Sequence, residues 1–187
     1  MQPRELLEFL HFAEKLKSVI RHSVTSDGVD ESVAAHSWRI CLFAFALKDE
    51  FPEINMDKVI KMCIIHDLGE CITGDIPSFN KNISDSALEF KLTIEKFKTY
   101  PAPISTDFVT LYTEMEEQKT IEARFYKALD KLEAVIQHNE ADISSWTPIE
   151  YDLNLTYGYE YVKEFDFLNR LRDEMKADTL DKIKKAQ

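Results

Sequence analysis

Apolar residues recur along this 187-residue chain every three or four positions, and that spacing sorts it into helices. Leu6, Leu7, Leu10, Ala13 and Leu16 mark a first amphipathic helix, with Pro3 near its start, where a missing N–H leaves no bond unmade. Glu31 to about Glu50 reads as a second helix, almost wholly apolar from Ile40 onward and therefore central; Pro52 ends that region. Asp57 is placed to cap a third helix running to about Thr73, which Gly74 terminates. Ser84, with Asp85, caps a fourth that reaches Tyr100; "YPAPIS" then breaks the chain, and a fifth covers about Thr106 to Glu117. Thr120 caps a sixth, whose stripe Ile121, Phe125, Leu129, Leu132 and Ile136 keeps the helical period to about Asn139. Residues 141–158 read as loop, and a last helix runs from about Tyr159 to Met175 or beyond. No repeat, linker or strand stands out, so the expected fold class is all-α, a single helical domain over residues 1–187.

Composition narrows the partners. Only 4 Gly and 6 Pro are present, which favours long helices over turns. The net charge of −11 repels nucleic-acid backbones and anionic membranes, so neither is an expected partner. An anionic small substrate would need a local cation to attract it. Cys41, Cys63 and Cys71 form no C-x-x-C pair and sit in apolar context, the pattern of free thiols in a reducing, cytoplasmic setting. Residues 1–10 carry acids, as expected of a chain without a signal peptide, and the longest apolar run, the eight residues Ile40 to Leu47, is too short to span a bilayer.

Against that background "CIIHDLGECITGDIPSF", residues 63–79, places polar groups where the apolar pattern calls for hydrocarbon. His66 and Asp67 are adjacent, Glu70 follows His66 by one turn, and Asp75 comes just after Gly74. His36 in "VAAHSWRI" and Asp130 in "YKALDKLEAVI" are likewise isolated in apolar helices. Taken singly, each has a bland explanation. A lone His beside a core is more often hydrogen-bonded than metal-bound, and Asp130 has Lys127 and Lys131 at hand as ion-pair partners. Taken together, three helices offer two imidazoles and two carboxylates to one divalent ion such as manganese, cobalt, iron or zinc, with magnesium also open. His11, His22 and His138 belong to no such constellation, so surface or structural roles are the default for them.

The order H…HD…D on a helical chain resembles the HD-domain superfamily of metal-dependent phosphohydrolases. "ESVAAHSWR", "HDLGECITGDIP" and "ALDKLEA" together resemble its 5′-deoxynucleotidase group over about residues 15–140; residues from about 141 to 187 carry no recognisable motif and are expected as helices packed on that core. The resemblance implies that His36, His66, Asp67 and Asp130 ligate the metal and that Glu70 sits beside the reactive water. It implies that Asp75 lies near the sugar and the leaving oxygen, and that Arg21 in "LKSVIRHSV" holds the phosphate. It also implies a homodimer, to which the aromatic stretch Trp146 to Phe167 could lend apolar contact unless it covers the chain's own core. Members of the group often carry a tryptophan just after the arginine; here His22 follows Arg21, and no Trp occurs before Trp38. The expected activity is removal of phosphate from nucleoside 5′-monophosphates, with 2′-deoxyribonucleotides preferred. The alternatives are another HD-type hydrolase, acting on nucleoside triphosphates or phosphodiesters, and a non-catalytic HD-fold binding module.

Overall fold

The computed structural model describes residues 1–186, and helices dominate it. In order they are α1 (Pro3–Glu14), α2 (Val33–Ala46), α3 (Met56–Ile65), α4 (Glu70–Thr73), α5 (Ile83–Lys98), α6 (Val109–Glu117), α7 (Ile121–Glu140), α8 (Glu150–Thr156), α9 (Tyr159–Val162) and α10 (Asp166–Lys185). The all-α expectation therefore stands. Helix α7 is the centre: α2, α3 and α6 pack against it, and so do α9 and α10. Its stripe buries Phe125, Leu129 and Leu132 completely, each such side chain contributing about 1.5–3 kcal/mol of burial free energy. No helix among the described residues is long and apolar enough to cross a membrane.

Several boundaries differ from the sequence reading, each for a local reason. A two-stranded antiparallel hairpin, β1 (Ile20–Val24) and β2 (Asp30–Ser32), stands where no strand was expected. Strands this short leave no alternation to recognise. The second helix starts at Val33 with Ser32 as its cap, its hydroxyl accepting from Ala35 N–H, so Glu31 lies in β2. The third is capped by Asn55, which accepts from Lys58 N–H, and not by Asp57. The fourth is capped by Asn82, ahead of Ser84. Residues 141–158, read as loop, contain α8, and the expected last helix is divided into α9 and α10. In α1 the face of Leu6, Leu7 and Leu10 is exposed, and Phe12 at its end and Leu16 just beyond it face the core. Trp38, Leu42 and Phe45 of α2 are exposed as well, whereas Ile40 and Ala44 are buried. Trp146, Val162 and Phe165 of the aromatic stretch are buried within the chain's own core.

The expected continuous third helix is broken at His66 and Asp67. Helix α3 stops at Ile65, and the chain passes through i→i+3 bonds from Leu68 N–H to Ile65 O (3.1 Å) and from Glu70 N–H to Asp67 O (2.9 Å) before α4 resumes. Gly69 permits the crowding at this point: a Cβ there would lie 2.4 Å from Thr93 Oγ1 and 2.9 Å from Glu89 Cγ. Tightened turns of this kind inside helices accompany functional sites.

Candidate active site

The break at residues 66–69 sets His66 and Asp67 against α2 and α7. The Nε2 atoms of His36 and His66 are turned to a shared centre with Asp67 Oδ2 and Asp130 Oδ1. His66 Nε2 is 2.9 Å from Asp67 Oδ2 and 4.0 Å from Asp130 Oδ1; His36 Nε2 is 3.3 Å from Asp130 Oδ1 and 3.8 Å from Asp67 Oδ2. The four residues singled out from three helical segments thus converge. His36, His66 and Asp67 form the tightest group, with one ligand atom of each within 4.8 Å of the others. Asp130 joins them through Oδ1, and its second oxygen, Oδ2, pairs with Lys127 and Lys131 at 3.0 Å each.

Both imidazoles are oriented from behind. His66 Nδ1 lies 2.9 Å from the Cys63 carbonyl, a contact that makes Nδ1 the donor and leaves the Nε2 lone pair free; that buried Nε2 has no hydrogen-bond partner. His36 Nδ1 is hydrogen-bonded to Glu133 Oε2. An imidazole held by carbonyl or carboxylate through one nitrogen, with the other presented to a common centre, is the usual arrangement of a ligand histidine. Two such nitrogens with two carboxylates suit a borderline divalent ion, so the donor set fits one.

The charges around this centre are tightly balanced. Burial works to lower the His36 pKa and is the largest influence, followed by the charge of Arg21; hydrogen bonds with Asp130 and Glu133 outweigh both and raise it to about 9. For Asp130, burial opposes ionisation, yet Lys131, Lys127 and His36 hold the carboxyl well below the usual range. Asp67 is also held low: burial disfavours its charge, and His66 and His36 more than offset that. Glu70 behaves oppositely. Burial first, then the charges of Asp67, Asp75 and Glu89, push it up to about 10, and its Oε2 is buried without a partner. Asp75 is raised too, mainly by burial. Gly74, at φ +76°, turns the chain out of α4 in a conformation that suits glycine, and Asp75 then lines the same cavity as Asp67 and Glu70.

Arg21 lines this cavity from β1. Its Nη1 pairs with Glu31 Oε2 at 2.8 Å and Glu133 Oε2 at 3.3 Å. Ser23 Oγ donates to the same Glu31 oxygen at 2.7 Å, and Gln137 Nε2 donates to Val24 O at 2.7 Å, which fastens the hairpin to α7. Both ion pairs use Nη1 alone, so the guanidinium fork keeps other N–H donors for an anion.

Sequence reasoning passed over several residues here. Glu133, with no exposed surface, joins His36, Arg21 and Arg39. Its signal was available: a glutamate on the apolar face of α7, one turn after Leu129. Lys81, Lys127 and Lys131 add cationic groups to the wall, and His138, Glu150 and Asn154 complete the cavity from segments that carry no motif, beside His22, which follows Arg21.

With this geometry in hand, similarity to known proteins points one way. A family model described as HD domain matches residues 13–169. A bovine protein named 5′-deoxynucleotidase HDDC2 is 32% identical over 145 residues, covering 73% of this chain and 68% of its own. The Dictyostelium discoideum protein of the same name is 33% identical over 144 residues, covering 72% and 76%. Among solved structures, a predicted metal-dependent phosphohydrolase from Magnetospirillum magnetotacticum shares the fold, with a TM-score of 0.80 at 24% identity over 96% of this chain and 93% of that one.

Proposed function

This chain belongs to the HD-domain family, and on that premise we propose that it is a metal-dependent phosphohydrolase that releases phosphate from nucleoside 5′-monophosphates, with 2′-deoxyribonucleotides preferred. The observation that carries the reading is the convergence of His36, His66, Asp67 and Asp130, with His36, Asp67 and Asp130 lining one cavity with Arg21. Those four residues would hold a divalent ion. Bound there, the ion would supply Lewis-acid chemistry, neutralising phosphoryl oxygens, acidifying water and drawing Glu70 towards its ionised form.

The chain's own groups account for the rest. Arg21 is fixed by Glu31 and Glu133 and offers its remaining donors to phosphate oxygens as a planar fork, a geometry that lysine does not supply. It gives this acidic protein local attraction for an anionic substrate. Glu70 holds a buried, unpartnered oxygen beside Asp67 and is the group to take a proton from the attacking water. Asp75, raised towards its protonated form in the same wall, is placed to return a proton to the departing 5′-oxygen or to bond a sugar hydroxyl. Glu133 and the Cys63 carbonyl keep the two imidazoles pointed inward.

A triphosphate substrate is the second reading, because Lys81, Lys127 and Lys131 line the cavity with Arg21. Each lysine is already paired, Lys81 with Glu89 at 2.7 Å and the other two with Asp130, so the surplus of positive charge is small and the monophosphate is favoured. The test is phosphate release from dAMP and dATP by the purified protein, with chelator and with divalent ions restored. Phosphate from dAMP that disappears with chelator and returns with metal supports the reading; undiminished turnover in excess chelator would rule it out. The same proposal includes one domain over the whole chain and a homodimer, which light scattering checks against the 21.8 kDa monomer.

A further inference from the structure

Away from the four converging residues, the cavity has a second polar wall. It is made by His22 of β1, His138 of α7, and Glu150 and Asn154 of α8. Glu150 is 1% exposed and Asn154 2% exposed. Two atoms in this wall, Glu150 Oε1 and Asn154 Nδ2, are buried and lack any hydrogen-bond partner. His22 Nε2 and His138 Nε2 lie 3.1 and 3.3 Å from Glu150 Oε1 without hydrogen-bond geometry. The other carboxylate oxygen, Oε2, accepts from Thr147 N–H at 2.6 Å and Thr147 Oγ1 at 2.9 Å, which fixes the side chain.

A buried polar atom left unbonded costs about 1–3 kcal/mol, so two in one wall require an explanation. They are not sites for phosphate, because a carboxylate repels it. They are complementary to a neutral group rich in donors and acceptors. The wall is also held deliberately. Arg172 of α10, with no exposed surface, donates from Nη2 to Asn154 O at 2.7 Å and from Nε to Tyr157 O at 2.8 Å, and its guanidinium stacks 4.6 Å from the Tyr159 ring. That clamp ties Asn154 of α8 and Tyr157 just beyond its end to the C-terminal helix and sets where Asn154 stands.

We propose that Glu150 and Asn154 form the nucleoside subsite of this cavity, Glu150 Oε1 accepting from a sugar hydroxyl or base N–H and Asn154 donating to a base acceptor. The assignment rests on the reading of the substrate as a nucleoside monophosphate and names the residues that would make it one. Selectivity for the nucleoside then depends on the C-terminal third of the chain, with Arg172 as a positioning residue behind it.

The experiment compares wild type, Asn154→Ala and Asn154→Leu, each shown to be folded by circular dichroism. The first measurement is kcat/KM for dAMP divided by kcat/KM for p-nitrophenyl phosphate, which has the same phosphate but neither sugar nor base. The ratio should fall about tenfold, mainly through KM for dAMP, because a site built to hydrogen-bond a group discriminates by that bond. The second is calorimetric titration of the wild type and Asn154→Ala proteins with 2′-deoxyadenosine, which carries no phosphate; the dissociation constant should rise about tenfold in the variant. An unchanged ratio, or equal binding of 2′-deoxyadenosine by both proteins, overturns the subsite. Hydrolysis of p-nitrophenyl phosphate but not of dAMP by the wild type overturns the nucleotide reading instead. Asn154-dependent binding of 2′-deoxyadenosine in that case still upholds the subsite.

Discussion

The two ends of the cavity are built differently. At one end, His36, His66, Asp67 and Asp130 converge from α2, the turn after α3, and α7, each set in a short stretch whose apolar context makes it conspicuous. At the other end, His22, His138, Glu150 and Asn154 come from the hairpin, the last part of α7 and α8, and apart from His22, which follows Arg21, nothing in their neighbourhoods marks them. The first end, where the chemistry is proposed, is braced by single partners, Cys63 O and Glu133. The second, proposed for nucleoside recognition, is braced by packing, through the buried Arg172. Changes at the first end should depress every substrate alike, and changes at the second should alter the ratios among them.

The largest effect is expected at the metal end. His66→Ala or Asp67→Ala should lose bound metal by elemental analysis and reduce hydrolysis of both dAMP and p-nitrophenyl phosphate to background. Retained activity towards either substrate would break the proposed division. Glu70→Gln comes next: metal content should persist while kcat falls by about 10²–10⁴-fold, the usual worth of general acid–base assistance, on both substrates. Loss of metal in that variant would place Glu70 among the ligands. Glu133→Gln should weaken metal affinity by about 10–100-fold, as changes behind a ligand histidine do, measured by competition with a chromogenic chelator. Affinity equal to wild type would show that Glu133 serves only Arg21 and Arg39.

The smallest effect belongs to the sugar. His22 is hydrophilic and smaller than the tryptophan that often follows the arginine in this group, so deoxy over ribo preference should be modest, on the order of tenfold, equivalent to about 1.4 kcal/mol. His22→Trp should raise the dAMP to AMP ratio of kcat/KM by crowding the 2′ position. A ratio that stays the same would detach position 22 from the sugar.

How much of this could be read from the sequence follows the same division. The helix stripe of α7 and the isolated His36, His66, Asp67 and Asp130 were legible because a titratable group on an apolar face is locally anomalous. The break after Ile65 was not, because its cause is the approach of Thr93 and Glu89 to Gly69, residues twenty or more positions away. The hairpin was hidden by its brevity, and the caps at Asn55 and Asn82 by competing Asp and Ser residues close by. Glu133 was legible in principle and overlooked, since an acid among Leu132 and Val135 reads as part of a charged pattern until its partner His36 is seen across the helix pair. Glu150 and Asn154 could not be found at all, since only tertiary packing brings α8 to the cavity.

On the proposed reading, four residues hold one divalent ion beside Arg21. Anomalous diffraction from crystals grown with manganese tests it most directly. A single strong peak should appear, bounded by His36 Nε2, His66 Nε2 and the carboxylates of Asp67 and Asp130. A map with no peak there, in crystals of protein active with manganese, would contradict it.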